Sequence, residues 1–570
     1  MIRKNHLNWK HIIPLIHFLL SFFYERCILH FQLDKDIIAS VALNDAFSDT
    51  AERVMGYIIA KIFAAVMIFF LWQLIFYVIS RWKAKLNFRM FTIVMAVGLI
   101  GVVCMWPDPF LASDDNLMTY SYAIRLWPEY WHSAYTSCVY AAMLMVVPHP
   151  VFISMFQWIF SIFTIGYFYN RVQDSPMLQG KGKYLTFAVL LLPETYTLFT
   201  NPYRTELYAL LCMFAVAQTV MDVLDHRQSS PLESFGIMVL CAFIGVWRTE
   251  GIILGILLYL IRLLFIYKYG VKKSLLLFAG FLFTWSVILV PQKLGDIKYY
   301  GKDYSFINSF PTLQNMLNAP HANLSYEGVE EDLEAISKIA PIELVRIGGM
   351  DGYRRYNFAN GRGDINQSLA DEATGKAYTK AYYRMVFHNL PIYARTQITM
   401  LAHAIRLVPD VYVEWPGDWV GENLPGWTLE IWDIGREDIQ AAPGYAGWVE
   451  NPVHQWVSKT VRGIVTAVDN VLDKLRFYTV LLILIPVFEI FLFFKEFIAL
   501  CKKKKNTFGL AAVAFALLGQ AAAIVLVMPA GMLVYLHAYY YCSIILCIAY
   551  ILNWMRTRKN LQEDVSVEKL

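Results

Sequence analysis

Residues 54–80 read VMGYIIAKIFAAVMIFFLWQLIFYVIS, and residues 81–89, which follow directly, read RWKAKLNFR. The first stretch carries a single charge, Lys61. As a helix rising about 1.5 Å per residue, it exceeds a hydrocarbon core of ~30 Å. Backbone polar groups in lipid must be satisfied within the chain, so an apolar run of this length predicts a membrane-crossing helix. The second stretch holds Arg81, Lys83, Lys85 and Arg89. Short loops rich in Lys and Arg are retained on the cytoplasmic side, so the two stretches together set an orientation as well as a fold class.

Outward from there, the same alternation recurs. Of 570 residues, 57% are hydrophobic and 16% charged, and a mean hydropathy of +0.44 needs lipid to face. Twelve spans are expected, at roughly 11–31, 54–80, 90–106, 151–170, 184–200, 205–224, 232–247, 251–267, 274–293, 477–499, 508–529 and 531–554. The first holds Glu25 and Arg26, and its basic start reads as an uncleaved anchor. The expected fold is therefore mainly α, a polytopic bundle with a large mixed domain outside it. Net charge is +4, and nothing in its placement points to nucleic acid. The eight cysteines form no CxxC pair, which argues against disulfides and cysteine metal sites.

Basic loops at 81–89, 171–183, 225–231, 268–273 and 501–505 and the tail from Arg556 fall on one side under a single topology. That topology puts both termini in the cytoplasm. It requires His132–Val147 not to cross, and a re-entrant or surface-lying helix is expected there. Four parts follow: extra helices at 1–89, a seven-helix module at 90–293 with an acidic external loop at 106–150, an external domain at 294–476, and a three-helix end with a cytoplasmic tail at 477–570. Within the external domain, Tyr382–Leu407 mixes apolar and basic residues as a helix lying on the outer face would.

The acidic loop places Asp108, Asp114 and Asp115 just past a span. Carboxylates there are suited to deprotonating an acceptor hydroxyl or holding a cation beside a phosphate. A solvated loop whose Ser113 and Asp114 cap the next helix is the simpler alternative. Trp247-Arg248-Thr249-Glu250-Gly251 is a charged turn between apolar helices; Arg248 suits a lipid phosphate, with Glu250 holding it, or the two form an ordinary ion-paired hairpin. Arg204 lies in a second turn of this kind. Tyr535, His537, Tyr539 and Tyr540 lie at the outer end of the last span, as cavity or belt residues. Trp415 and Trp419 belong to a tryptophan-rich part that could stack on sugars or form core.

The pattern resembles the GT-C superfamily of membrane glycosyltransferases. Spans beginning at 90, 151, 184, 205, 232, 251 and 274 number seven, the acidic loop follows the first, and the long domain follows the last. Asp114 and Asp115 are similar to the family's paired acidic motif, which implies Asp114 as catalytic base. Arg248 and Glu250 are similar to its Arg-containing turns. Asn389-Leu390-Pro391-Ile392-Tyr393-Ala394-Arg395 is similar to a segment that follows the large loop in bacterial members. Two helices precede the module, and Trp415-Pro416-Gly417-Asp418-Trp419 departs from the oligosaccharyltransferase WWD motif, which leaves single-sugar transfer.

The resemblance implies a polyprenyl-phosphate sugar as donor and a cell-envelope glycan or polymer as acceptor. Arg248, Arg204, Glu250 and His537 would hold the donor phosphate; Asp115 or Asp108 would position the acceptor or a divalent cation, bound through Asp114 or Asp115. His132, Trp415 and Trp419 would bind acceptor or sugar. A lipid-linked glycan polymerase or ligase is the alternative within enzymes. A transporter or flippase is the alternative outside them, disfavoured by span interiors that read as poor in charge.

Overall fold

The computed structural model describes residues 9–31, 50–81, 86–111, 114–129, 133–175, 181–192, 195–202, 204–267, 270–295, 303–339, 342–347, 372–408, 434–502, 508–528 and 531–567. They are mainly helical, with no strand among them. The first helices are α1 (Trp9–Ile28), α2 (Thr50–Arg81), α3 (Leu86–Met105), α4 (Asp108–Leu111), α5 (Asp114–Ile124), α6 (Ala134–Val146) and α7 (Val151–Asp174). A 3-10 helix at Lys181–Leu191 leads to α8 (Thr195–Thr200), α9 (Arg204–Asp225), α10 (Pro231–Trp247), α11 (Gly251–Ile261) and α12 (Val271–Gly295). Then come α13 (Asp303–Asn318), α14 (Val329–Ser337), α15 (Ile342–Ile347), α16 (Glu372–His388) and α17 (Leu390–Ala404). The chain closes with α18 (Tyr445–Val449), α19 (Pro452–Lys474), α20 (Phe477–Cys501), α21 (Phe508–Val527) and α22 (His537–Val567).

Among the described residues, eight helices are long and apolar enough to cross a membrane: α1, α2, α7, α9, α12, α20, α21 and the helical run Leu533–Thr557. Five more are apolar and shorter, among them Thr92–Met105, Pro231–Trp247 and Gly251–Tyr267. The expected span at 184–200 is instead the 3-10 helix and the short α8.

The chain divides into two compact units. The first comprises residues 1–175, 179–214 and 430–471. In it α6 packs against α1, α2, α5 and α7, and all thirteen of its residues are buried. A helix lying on a surface would keep one face open, so α6 is an interior helix. Glu25 does not disqualify α1 as an apolar helix, because Lys61 of α2 pairs with its carboxylate and Tyr57 donates to it at 3.0 Å. The Lys61 ammonium also donates to Ser21 at 2.9 Å and lies 3.7 Å from the Phe22 ring centre. Helices α3 and α7 touch at Gly98, where a Cβ would fall 1.8 Å from the Trp158 ring.

The second unit holds residues 176–178, 215–429 and 472–570. Its α10 opens on a capping box, Ser230 and Glu233, with Pro231 in the first turn. The α10–α11 hairpin closes tightly because Gly255 lies against the Cys241 carbonyl. Beyond α11 a π-helical turn, Arg262–Tyr267, carries a fully buried guanidinium. Arg262 donates to Asp222 and Ser229 at 2.8 Å and to Thr219 at 3.3 Å. In α20, Glu489 is buried and accepts from the Tyr539 hydroxyl of α22 at 2.7 Å. The span interiors therefore hold several buried charges, against the expectation that they are poor in charge.

Helices α13 to α17 enclose a core of their own around Leu313, Met316, Ile336, Val345 and Met385. Their part of the expected mixed domain is helical in its described residues. The remainder of 294–476 is divided: residues 430–471 belong to the first unit. Tyr382–Leu407, expected as one surface helix, is α16 and α17 with Asn389 between them, and α17 packs on α13 and α21.

Candidate functional site

The last four carbonyls of a helix have no intrahelical partner. At the end of α3, two are taken by side chains from far along the chain: Trp448 donates its indole N–H to Val103 O at 2.9 Å, and His454 Nδ1 lies 2.8 Å from Cys104 O. Since a carbonyl only accepts, Nδ1 is the donor in this bond. Nε2 lies 3.6 Å from Asp108 Oδ1. Asp108, at the head of α4, also accepts from Arg462 Nη2 at 3.0 Å.

These side chains line an open groove of about 720 Å³, with Asp108 on one wall and His454, Ser458, Lys459 and Arg462 of α19 on the other. Aromatic packing secures it: the buried Trp106 ring lies 5.0 Å from His149 and 5.3 Å from Trp448. His149 donates from Nε2 to Pro443 O at 2.9 Å while its Nδ1 accepts from Val151 N, and partial burial holds its imidazole below the usual range. The buried Arg125 forms a two-pronged pair with Asp438, 2.9 Å from Nη2 to Oδ1. A Cβ on Gly435 would fall 2.5 Å from Leu117 O, so the short helix at residues 434–440 approaches α5 as only glycine allows.

In the same unit the second expected turn joins the acidic loop. Asn116 donates to Asn201 Oδ1 at 2.6 Å and the Tyr140 hydroxyl to Pro202 O. Nearby, Glu129 is buried, and burial pushes its carboxyl up to about 8, while a hydrogen bond from Thr119 at 2.7 Å and the charge of Arg204 oppose the rise. A carboxyl able to hold or release a proton near neutral pH has the property of an acid–base group. Sequence reading passed over Glu129, because burial is not visible in the run WPEYW.

Of the residues singled out from sequence, Asp108, Asp115 and Arg204 lie in the first unit, Asp115 half-buried in the first turn of α5. The side chain of Asp114, and the whole of His132, Trp415 and Trp419, fall outside the described residues. In the second unit, Arg248 and Glu250 form a largely buried ion pair, with the guanidinium 5.8 Å from the Tyr535 ring centre. His537, two residues on, is buried with its ring 6.1 Å from Tyr541. Arg248 is thus already satisfied by Glu250, and a phosphate there would share or displace that carboxylate. Among the described residues no group of three His, Cys, Asp or Glu side chains is arranged to hold a metal ion. The groove residues on α19 that sequence reading missed, His454 and Arg462, lie 346 and 354 residues from Asp108.

The described helices define a helical protein with apolar helices long enough to cross a membrane and a polar groove built on its acidic loop. No family model, curated protein or solved structure matches the chain.

Proposed function

We propose that the protein is a membrane-embedded glycosyltransferase of the GT-C type, moving one sugar from a polyprenyl-phosphate donor to a cell-envelope glycan or polymer outside the cytoplasmic membrane. The observation that carries this reading is the groove itself: a carboxylate at the end of an apolar helix, faced by an imidazole and a guanidinium, in a unit that also buries a proton-holding carboxyl, Glu129. In this reading Asp114 takes the proton of the acceptor hydroxyl as its oxygen bonds to the anomeric carbon. The bond from that carbon to the phosphate oxygen breaks with inversion, and the lipid phosphate leaves with the electron pair. Cationic side chains, Arg248 and Arg204 first, stabilise the leaving phosphate. Asp108 and Asp115 position the acceptor, or a divalent cation with Asp114; Trp415, Trp419 and His132 pack on the sugars. Cytoplasmic termini and an extracytoplasmic 294–476 complete the proposal.

The test is transfer of labelled sugar from synthetic polyprenyl-phosphate donors to envelope extract by purified protein. Asp114→Asn is expected to lower the rate about 10²- to 10⁴-fold, the range for loss of a general base, and Arg248→Ala to lower it as well while both variants stay folded. Full transfer by both variants sinks the assignment. A transporter or flippase of envelope precursors is the second reading, supported by the buried pairs Lys61–Glu25 and Arg262–Asp222 and by Glu489 within apolar helices. Protein-dependent lipid movement in vesicles without donor turnover selects it, and chain extension of a lipid-linked glycan selects a polymerase or ligase.

A further inference from the structure

In a helix on the surface of a water-soluble domain, the apolar stripe is buried and the polar face meets water. Helix α19 is turned the other way. Its Val453, Trp456, Ile464, Val468 and Val471 are each between 50% and 69% exposed. At about 100° per residue they share an arc of roughly 120°. His454, Ser458, Arg462 and Thr466 fall on the opposite side, where His454 and Ser458 are buried and all four line the groove with Asp108.

Both ends of α19 are tied to apolar helices. At its start, Trp448 and His454 hydrogen-bond the last carbonyls of α3, the end of the apolar stretch Thr92–Met105. At its finish, Lys474 is followed after two residues by Phe477, the first residue of the apolar α20. A helix of 23 residues reaches about 35 Å. A helix pinned between the ends of two apolar helices, with an apolar stripe outward and a tryptophan on it, has the build of a helix lying in a membrane interface.

We propose that α19 lies in the membrane interface, its apolar stripe occupied by the acyl chains of the leaflet where α20 begins, and its polar face forming the floor of the Asp108 groove. The groove then opens at headgroup level, and its ligands reach it along the bilayer surface. This holds whether the groove performs glycosyl transfer or another reaction.

The test places benzoylphenylalanine at Ile464, Val468 or Thr466 in the full chain, reconstituted in phospholipid nanodiscs, with Leu276 of the exposed, apolar α12 as reference. After irradiation, lipid adducts at positions 464 and 468 are expected to match those at 276 and to exceed those at 466 by about tenfold. Adducts to protein at 464 and 468, from this chain or a second copy, overturn the proposal, as do equal lipid yields on the two faces. An independent reading uses brominated lipid: the emission lost on Trp456→Phe is expected to be quenched in the parent, and an unquenched difference overturns the proposal.

Discussion

Two arginine–aspartate pairs use the same chemistry at opposite degrees of burial. The Arg262–Asp222 pair has both side chains at 0% exposure and is surrounded by Thr219, Ser229 and Tyr267. The Arg462–Asp108 pair leaves Arg462 70% and Asp108 30% exposed on the wall of a groove. A buried pair must be complete, because removing one partner strands a charge away from water. An exposed pair contributes little to stability and leaves its carboxylate available to another ligand. Burial therefore separates charge that must stay paired from charge that is open to a ligand.

The largest expected effect breaks the buried pair. Asp222→Ala should destabilise the protein by about 3–5 kcal/mol, read from thermal unfolding in detergent, whereas Asp222→Ala with Arg262→Leu should recover much of the loss. No recovery in the double variant would place the role of Asp222 outside the pair. Intermediate between the two cases is Glu129, whose carboxyl is raised from 4.5 to about 8. The folded state holds that proton where the unfolded chain has lost it, so this stability is complete below about pH 4.5 and is lost as pH rises towards 8. Glu129→Gln should flatten the decline of unfolding temperature with pH across that window, by on the order of a few kcal/mol; an unchanged slope would show that Glu129 does not titrate there. The smallest effect on stability belongs to Asp108→Asn, expected below about 1 kcal/mol. Its transfer rate should fall all the same, and a variant both stable and fully active would remove Asp108 from the proposed site.

How much of this was legible in the sequence depended on the distance over which the deciding contact acts. Apolar stretches announce themselves locally, and α2, α7, α9, α12, α20 and α21 begin and end within a few residues of their expected bounds. The failures are long-range. The presence of Glu25 within the first apolar stretch is explained only by its partner Lys61, 36 residues away on another helix. The segment 184–200 is the exception to that pattern: it has the composition of a span and forms a 3-10 helix and a short α-helix instead. At the site, the acidic loop could be read, yet nothing near Asp108 points to His454 or Arg462. The spacing of Val453, Trp456, Ile464, Val468 and Val471 did carry a helical period, and it marks α19 more clearly than the mixed stretch Tyr382–Leu407 taken as the surface helix.

The clasp between Arg125 and Asp438 joins residues 313 positions apart. A ribosome working at about 5–20 residues per second needs roughly 15 to 60 s to cover that interval. Throughout that time the first apolar helices have been made, while the guanidinium at the end of α5 waits for its aspartate. Nascent chains thus pass through a stage in which the acidic loop lacks this clasp, and an interruption before residue 434 yields a product with many of its apolar helices and without the carboxylate partner of Arg125.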